Sequence, residues 1–274
     1  MLVYASVVQA SAIDLFMASL IPGIFAVLMF MGYVAVRVWR DPQLFPARAP
    51  RHSPAQVAWA AVECLPLATL IVAIIGGMYF GVVTPTEAAG LGALLSLILT
   101  LVYREITREQ LWIACVNSIA ITCVISIIII NGQILGFAVT QAGIGRGMSR
   151  ALVELGLSPF VFFVLLFVLY LALGAMLEGI SMMLLTVPVL YPTLKAMGFD
   201  DVWFGVILVI QSELAQLSPP IGLNLFAVQS IAGDASLGDI TRSSLPYALM
   251  LCALCFLLYF LPDLALWLPR TIKK

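Results

Sequence analysis

Apolar stretches long enough to cross a bilayer recur along this chain, separated by short charged clusters, and several are interrupted internally by Gly and Pro. A spanning helix needs about 20 mostly apolar residues, because no water is available in the bilayer to satisfy an exposed backbone. The composition leaves no other solvent: 63% of the 274 residues are hydrophobic, 10% are charged, and mean hydropathy is +1.12. A water-soluble fold cannot hide that much apolar surface. The expected class is therefore an all-α, polytopic membrane protein.

Charge placement orders the spans. The first, residues 15–36, ends in a loop carrying Arg37, Arg40, Arg48, Arg51 and the sole histidine, His52; a basic loop of this kind is expected on the cytoplasmic side. The second span, 64–83, turns through Thr84-Pro85-Thr86-Glu87 into a third ending at Tyr103. Thr84 is placed to cap the third helix, Pro85 fits its first turn and Glu87 suits the positive end of its dipole. A fourth span covers 112–131. Residues 132–158 are too polar and glycine-rich to cross again, and read as two short helices turning at Gln141-Ala142-Gly143-Ile144-Gly145. A re-entrant hairpin is one form of such a segment and a surface loop with an amphipathic helix is the other; apolar residues on both arms favour the hairpin. The last span, 247–268, precedes Arg270, Lys273 and Lys274, which puts the C-terminus inside. With the hairpin returning to its own side, the parity of crossings and the charges agree.

Two apolar runs are broken near their middles. Residues 160–197 contain Gly174-Ala-Met-Leu-Glu178-Gly179-Ile-Ser181, and residues 202–232 contain Ser218-Pro219-Pro220-Ile221-Gly222-Leu223-Asn224. Consecutive prolines remove two backbone donors and force a break. The ends of discontinuous helices present unpaired carbonyls to cations and N–H groups to anions, which makes paired breaks the sequence pointer to a transport site. Gly174, Glu178, Gly179 and Ser181 are thus candidate ligands of a cation such as Na⁺, with Glu178 foremost because a carboxylate at membrane depth is costly. Gln141, Gly143, Ser218, Pro219, Pro220, Gly222 and Asn224 are candidate substrate contacts, with Gln211, Glu213 and Gln216 on the half-helix before the second break. The competing structural readings are a carboxylate near the membrane surface or hydrogen-bonded in helix packing for Glu178, and a plain proline kink for the second break. Glu63, Glu87 and Asp263 are read as structural.

Other functions are disfavoured. An intramembrane enzyme would need a Ser/His pair, an Asp pair or spaced His ligands, whereas His52 lies in a basic loop and no two aspartates sit within helices. The five cysteines fall in or beside apolar segments, as small core residues do. A net charge of −1 says little by itself, because in a membrane protein the placement of charge matters more than its sum, and nucleic acid is not an expected partner. Residues 1–11 lack the basic start and cleavage site of a signal peptide.

These stretches resemble the large membrane subunit of tripartite ATP-independent periplasmic (TRAP) transporters. The family's Gly-Gly-x-Tyr-x-Gly-x-x-Thr-Pro-Thr-Glu-Ala-Ala run is matched by Gly76, Gly77, Tyr79, Gly81 and Thr84 to Ala89. Its Pro-x-x-x-Pro run is matched by Pro188 and Pro192, its Phe-Gly-Val by Phe204 to Val206, and its Pro-Pro-x-Gly-x-x-x-Phe break by Pro219, Pro220, Gly222 and Phe226. The resemblance implies a helical membrane protein built as one half of an inverted-repeat elevator transporter, with a re-entrant hairpin and two discontinuous helices. Residues 1–130 would be connecting and scaffold helices, 131–236 the transport region, and 237–274 the final helix with its basic tail.

It further implies an inner-membrane permease importing organic acids such as C4-dicarboxylates, with Na⁺ as coupling ion and no other cofactor. The implied partners are a small membrane subunit and a periplasmic substrate-binding protein. The family usually has Asp where this chain has Glu178, one methylene longer. The opening residues, Tyr4 to Pro22, resemble the stretch just after the family's first half, so the chain is expected to correspond to the C-terminal half and to need a chain supplying the N-terminal half. A non-transporting remnant or assembly scaffold is the alternative function.

Overall fold

Most of the helices start on a side chain that can accept hydrogen bonds from the first free amides of the turn it opens. In the computed structural model, which describes residues 1–41, 53–103, 106–144, 147, 154, 156–218, 222–232 and 236–272, Ser53, Thr84, Ser158, Glu178, Asp200 and Ser236 all cap helices this way. At Ser53 and Thr84 the bonding is reciprocal, with Gln56 and Glu87 reaching back to the cap backbone. This is the capping box, and it supports the reading of Thr84-Pro85-Thr86-Glu87 as a helix start.

The described residues form eleven helices and no strands: α1 (Leu2–Val8), α2 (Ala12–Arg40), α3 (Pro54–Tyr79), α4 (Pro85–Val102), α5 (Arg108–Gln141), α6 (Pro159–Gly174), α7 (Gly179–Ala196), α8 (Asp201–Gln216), α9 (Leu223–Ile231), α10 (Leu237–Phe260) and α11 (Asp263–Ile272). Of these, α2, α3, α4, α5, α7 and α10 contain segments long and apolar enough to cross a membrane. The chain is a multi-pass helical membrane protein.

Three elements differ from the sequence expectation. Helix α5 runs without interruption through Asn131 and Gly132, where the fourth span was expected to end. Its glycines serve close packing instead, since a Cβ on Gly132 or Gly136 would press on Leu184 or Pro188 of α7, and small residues are what let membrane helices approach. The turn after α5 does fall where expected, with Gly143 in the left-handed region at φ +67°; most of the second arm lies outside the described residues. Helix α10 begins ten residues earlier than the last span was placed and stops at Phe260, after which Pro262 leads into the separate helix α11. Pro262 has no N–H to offer the carbonyl of Leu258 one turn back, and the buried indole of Trp203 supplies the missing donor at 2.8 Å.

By packing, the chain divides into two compact units, Met1–Met31 with Val124–Lys274, and Gly32–Cys123. In the smaller unit, α3 and α4 form a helical hairpin. Gly77 lies under Val83 and Gly92 under Ile74, and the turn between the helices passes through Gly81 at φ +68°. Leu67, Val72 and Leu94 project outward, as helices facing lipid require.

The larger unit is built on α8, whose Trp203, Phe204, Val206, Ile207, Leu208, Leu214 and Ala215 are all buried. Rings from α6, α8 and α10 interlock around Phe163, which stacks on Tyr259 at 4.7 Å and meets Phe256 edge-on at 5.6 Å. Helix α1 is fastened to the start of α8: the Tyr4 hydroxyl donates to the Asp201 carbonyl at 2.9 Å, and its ring lies where only a glycine, Gly205, leaves space. Burial, and then the Asp201 carboxylate, raises the Tyr4 phenol above the usual tyrosine range, so the hydroxyl remains a donor.

Candidate functional site at the helix breaks

Both predicted interruptions are present. The first separates α6 from α7 at residues 175–178, and the second separates α8 from α9 at residues 217–222; Pro219 and Pro220 lie outside the described residues. Continuity fails at the first break because α6 closes on itself: the amide of Ala175 bonds the Leu171 carbonyl, and those of Met176 and Leu177 both bond the Leu173 carbonyl. Glu178 then takes extended backbone geometry and starts α7 as its cap.

The capping role engages both Glu178 oxygens. Oε1 accepts from the Ile180 amide at 3.2 Å, and Oε2 accepts from the Ser181 amide at 3.3 Å and from the Ser181 hydroxyl at 3.4 Å. The carboxylate therefore sits on the positive end of the α7 dipole, where a negative charge is stabilised. Gly174 and Gly179 are the places where the broken helix meets α8. A Cβ on Gly174 would collide with that of Ala215, and one on Gly179 with the Ser212 Oγ.

At the second break, the Ser218 hydroxyl turns back to the Leu214 carbonyl at 3.0 Å. Gly222 takes a left-handed conformation, φ +51°, that a side chain rarely adopts, and α9 starts there with no side-chain cap. Asn224 reaches across the break to Glu213 of α8 through a long contact of 3.4 Å.

Beside the first break lies an open cavity of about 460 Å³ lined by Glu178, Gly179, Ile180 and Met183 and by Val209, Ser212, Glu213 and Gln216 from α8, with Met1, Leu2, Val3 and Phe16 completing the lining. The α8 residues follow from helical spacing, since positions 209, 212, 213 and 216 share one face. Of the predicted residues, Glu178, Gly179, Glu213 and Gln216 line the cavity directly. Ser181 joins it through Glu178 and Asn224 through Glu213, while Gly174 packs behind it. Gln141 and Gly143 are not among its described lining residues, and neither are Ser218 and Gly222. Ser212 was missed in the sequence reading, as was the wall from α1; the four-residue step between Ser212 and Gln216, one turn before Ser218, is the signal that could have found the former.

The polar side chains around the cavity, those of Glu178, Ser212, Glu213 and Gln216, are carboxylate, hydroxyl and amide groups, and no Lys or Arg is among its described lining residues. Such hard oxygen donors suit an alkali or alkaline-earth cation. Among the described residues there is no group of three or more His, Cys, Asp or Glu side chains placed to hold a metal ion.

Comparison with known proteins identifies the family. The model of the tripartite ATP-independent periplasmic transporter, DctM component, matches residues 1–264. The chain is 31% identical, over 99% of its length and 63% of the relative's, to a C4-dicarboxylate TRAP transporter large permease protein of Pseudomonas aeruginosa. It is 31% identical to a 2,3-diketo-L-gulonate TRAP transporter large permease protein of Escherichia coli, covering 91% of this chain and 58% of that one. It is also 30% identical to a sialic acid TRAP transporter large permease protein of Vibrio cholerae, covering 98% and 62%. The chain thus spans about three fifths of the length of these relatives. On the extent of the family match and the identity to several large permeases, the chain belongs to the DctM family, the large permease components of TRAP transporters.

Proposed function

We propose that this chain is the ion-coupling part of a Na⁺-driven importer of organic anions, working in the inner membrane with its C-terminus cytoplasmic. The observation that carries the reading is a cavity at the first helix break with the carboxylates of Glu178 and Glu213 on its walls, the latter contacted by Asn224 from beyond the second break. Helices α6 and α8 end side by side, Gly174 against Ala215. Each C-terminus carries about half a negative elementary charge, so together they favour a cation nearby. Glu178, Ser181 and the carbonyls around Gly174 and Gly179 would hold the Na⁺.

The positive end of α7 is already met by Glu178, whereas α9 begins at Gly222 without a capping side chain. That end suits a substrate carboxylate, with Ser218 and Asn224 beside it. The turn at Gln141 and Gly143 would close the site. A site of this kind forms between the halves of an inverted repeat. Transport would then require a chain with the remaining portion that the relatives possess, a small membrane subunit and a periplasmic binding protein that delivers the carboxylate.

The decisive experiment measures thermal unfolding in NaCl against choline chloride for the wild type, Glu178→Gln and Ser181→Ala. Na⁺ should raise the melting temperature of the wild type and do so less in each variant; equal shifts in all three would sink the proposed cation site. Solute uptake with and without a co-expressed N-terminal portion tests the partner requirement. Full Na⁺-dependent uptake by this chain alone would refute it, and no uptake with every partner present would favour the scaffold reading.

A further inference from the structure

Gln211 stands in the middle of α8 with 1% of its surface exposed, and neither its Nε2 nor its Oε1 has a hydrogen-bond partner. It is the amide side chain among the described residues whose polar atoms are buried and unmet. A buried amide left unpaired is costly, and each such group in a folded protein calls for a partner.

Its surroundings follow from the way α6 and α8 lie together. The two helices run parallel: near their starts the rings of Phe163 and Trp203 are 5.9 Å apart, and at their ends Gly174 touches Ala215. One turn back from that contact, on each helix, stand Tyr170 and Gln211. Tyr170 is fully buried, with its hydroxyl 2.9 Å from Thr186 Oγ1 on α7. Thr186 gives its own proton to the Met182 carbonyl at 2.7 Å, so Tyr170 must be the donor between the two hydroxyls. Both protons of this pair are thereby committed, and lone pairs on the tyrosine oxygen are left over.

The seam between α6, α7 and α8 therefore has acceptors to spare and no donor for Gln211 Oε1, while Nε2 brings two protons that need acceptors. A monatomic cation could satisfy the oxygens, but would face the amide protons with like charge. The carboxylates that could balance it, Glu178 and Glu213, line the cavity with Val209, Ser212 and Gln216, on the side of α8 turned away from Gln211. The occupant has to donate and accept at once. We propose that Gln211, with Tyr170 and Thr186, forms an internal water-binding site that joins α6, α7 and α8 directly behind the first helix break. This stands independently of the transport reading, because it concerns the buried seam behind the break and not the cavity.

Met182 is the reporter. It is fully buried, and its sulfur packs beside Gly174. Radicals produced from a bound water by a short X-ray exposure oxidise the nearest side chain, so the full chain in lipid nanodiscs equilibrated with ¹⁸O water should place ¹⁸O on Met182. Met176, which is exposed at the break, controls for dose. The label on Met182 should be lost in Gln211→Leu and reduced in Tyr170→Phe, with Met176 unchanged. An unlabelled Met182 in the wild type overturns the proposal, as does a label indifferent to Gln211. A label displaced when NaCl replaces choline chloride overturns it too, by assigning the site to a cation. Should Gln211→Leu not fold, the wild type and Tyr170→Phe decide.

Discussion

Gly179 meets Ser212 so closely that a methyl group at position 179 would fall on the serine hydroxyl, with Gln216 Nε2 3.3 Å away. This contact sets the first turn of α7 against the cavity face of α8, and so couples the two broken helices. Overpacking of this kind costs about 1 to 3 kcal/mol. Gly179→Ala should therefore lower the melting temperature and blunt the Na⁺ response. Removing the hydroxyl in Gly179→Ala/Ser212→Ala should recover part of both, because residues in contact are not additive. A single variant that melts like the wild type would show that α7 and α8 are not held at this distance.

Glu178 acts through its position at the head of α7, which predicts a graded series. Glu178→Ala removes both acceptors and should cost about 1 kcal/mol in thermal unfolding. Glu178→Asp keeps a carboxylate of a residue type favoured at helix starts, and should retain most of that stability. If the cation site also uses this carboxylate, Glu178→Gln will lose more of the Na⁺ response than of the basal stability. Parallel losses would mark the residue as a cap alone.

The breaks were legible because their positions coincide with local clusters in the sequence: the run Gly174 to Gly179 spans the end of α6 and the start of α7, and the run Ser218 to Gly222 lies between α8 and α9. Glu178 was legible as an unusual carboxylate, but not as a cap, because that depends on the backbone turning extended one residue before α7. The same local reading misplaced the end of the fourth span. Gly132 and Gly136 look like helix breakers in sequence and serve as packing sites under Leu184 and Pro188. Ser212 and the wall from α1 and Phe16 of α2 were out of reach for the converse reason, since nothing near them in sequence announces that they approach Gly179 and Glu178. The kind of partner and of solute is not written in the residue patterns at all, and comes only as what the family resemblance implies.

Trp203 substitutes for a backbone donor that Pro262 lacks, and its ring stacks on Phe199 at 5.4 Å. Trp203→Phe preserves an aromatic ring but orphans the Leu258 carbonyl inside the core. The expected cost is about 1 to 3 kcal/mol, read as a lower melting temperature. Replacing the proline as well, in Trp203→Phe/Pro262→Ala, offers that carbonyl an amide from its own helix and should restore stability in part. Failure of the second change to help would mean that the indole contributes by packing and not by its N–H.

The seating of α1 can be separated into hydrogen bonding and shape. Tyr4→Phe removes only the bond to the Asp201 carbonyl, worth about 1 kcal/mol. Gly205→Ala places a methyl group on Leu15 and against the Tyr4 ring, with Cε1 2.7 Å away. Neither neighbour can withdraw easily, because both are buried in the core, so the second variant should be the more destabilised. Limited proteolysis should then cut within residues 1–10 of Gly205→Ala sooner than in the wild type or Tyr4→Phe. Since Met1, Leu2 and Val3 wall the cavity, that variant should also lose more of its Na⁺-dependent stabilisation. If instead Tyr4→Phe frees the segment and Gly205→Ala does not, the hydroxyl and not the close approach holds α1, and the cavity wall rests on a single hydrogen bond.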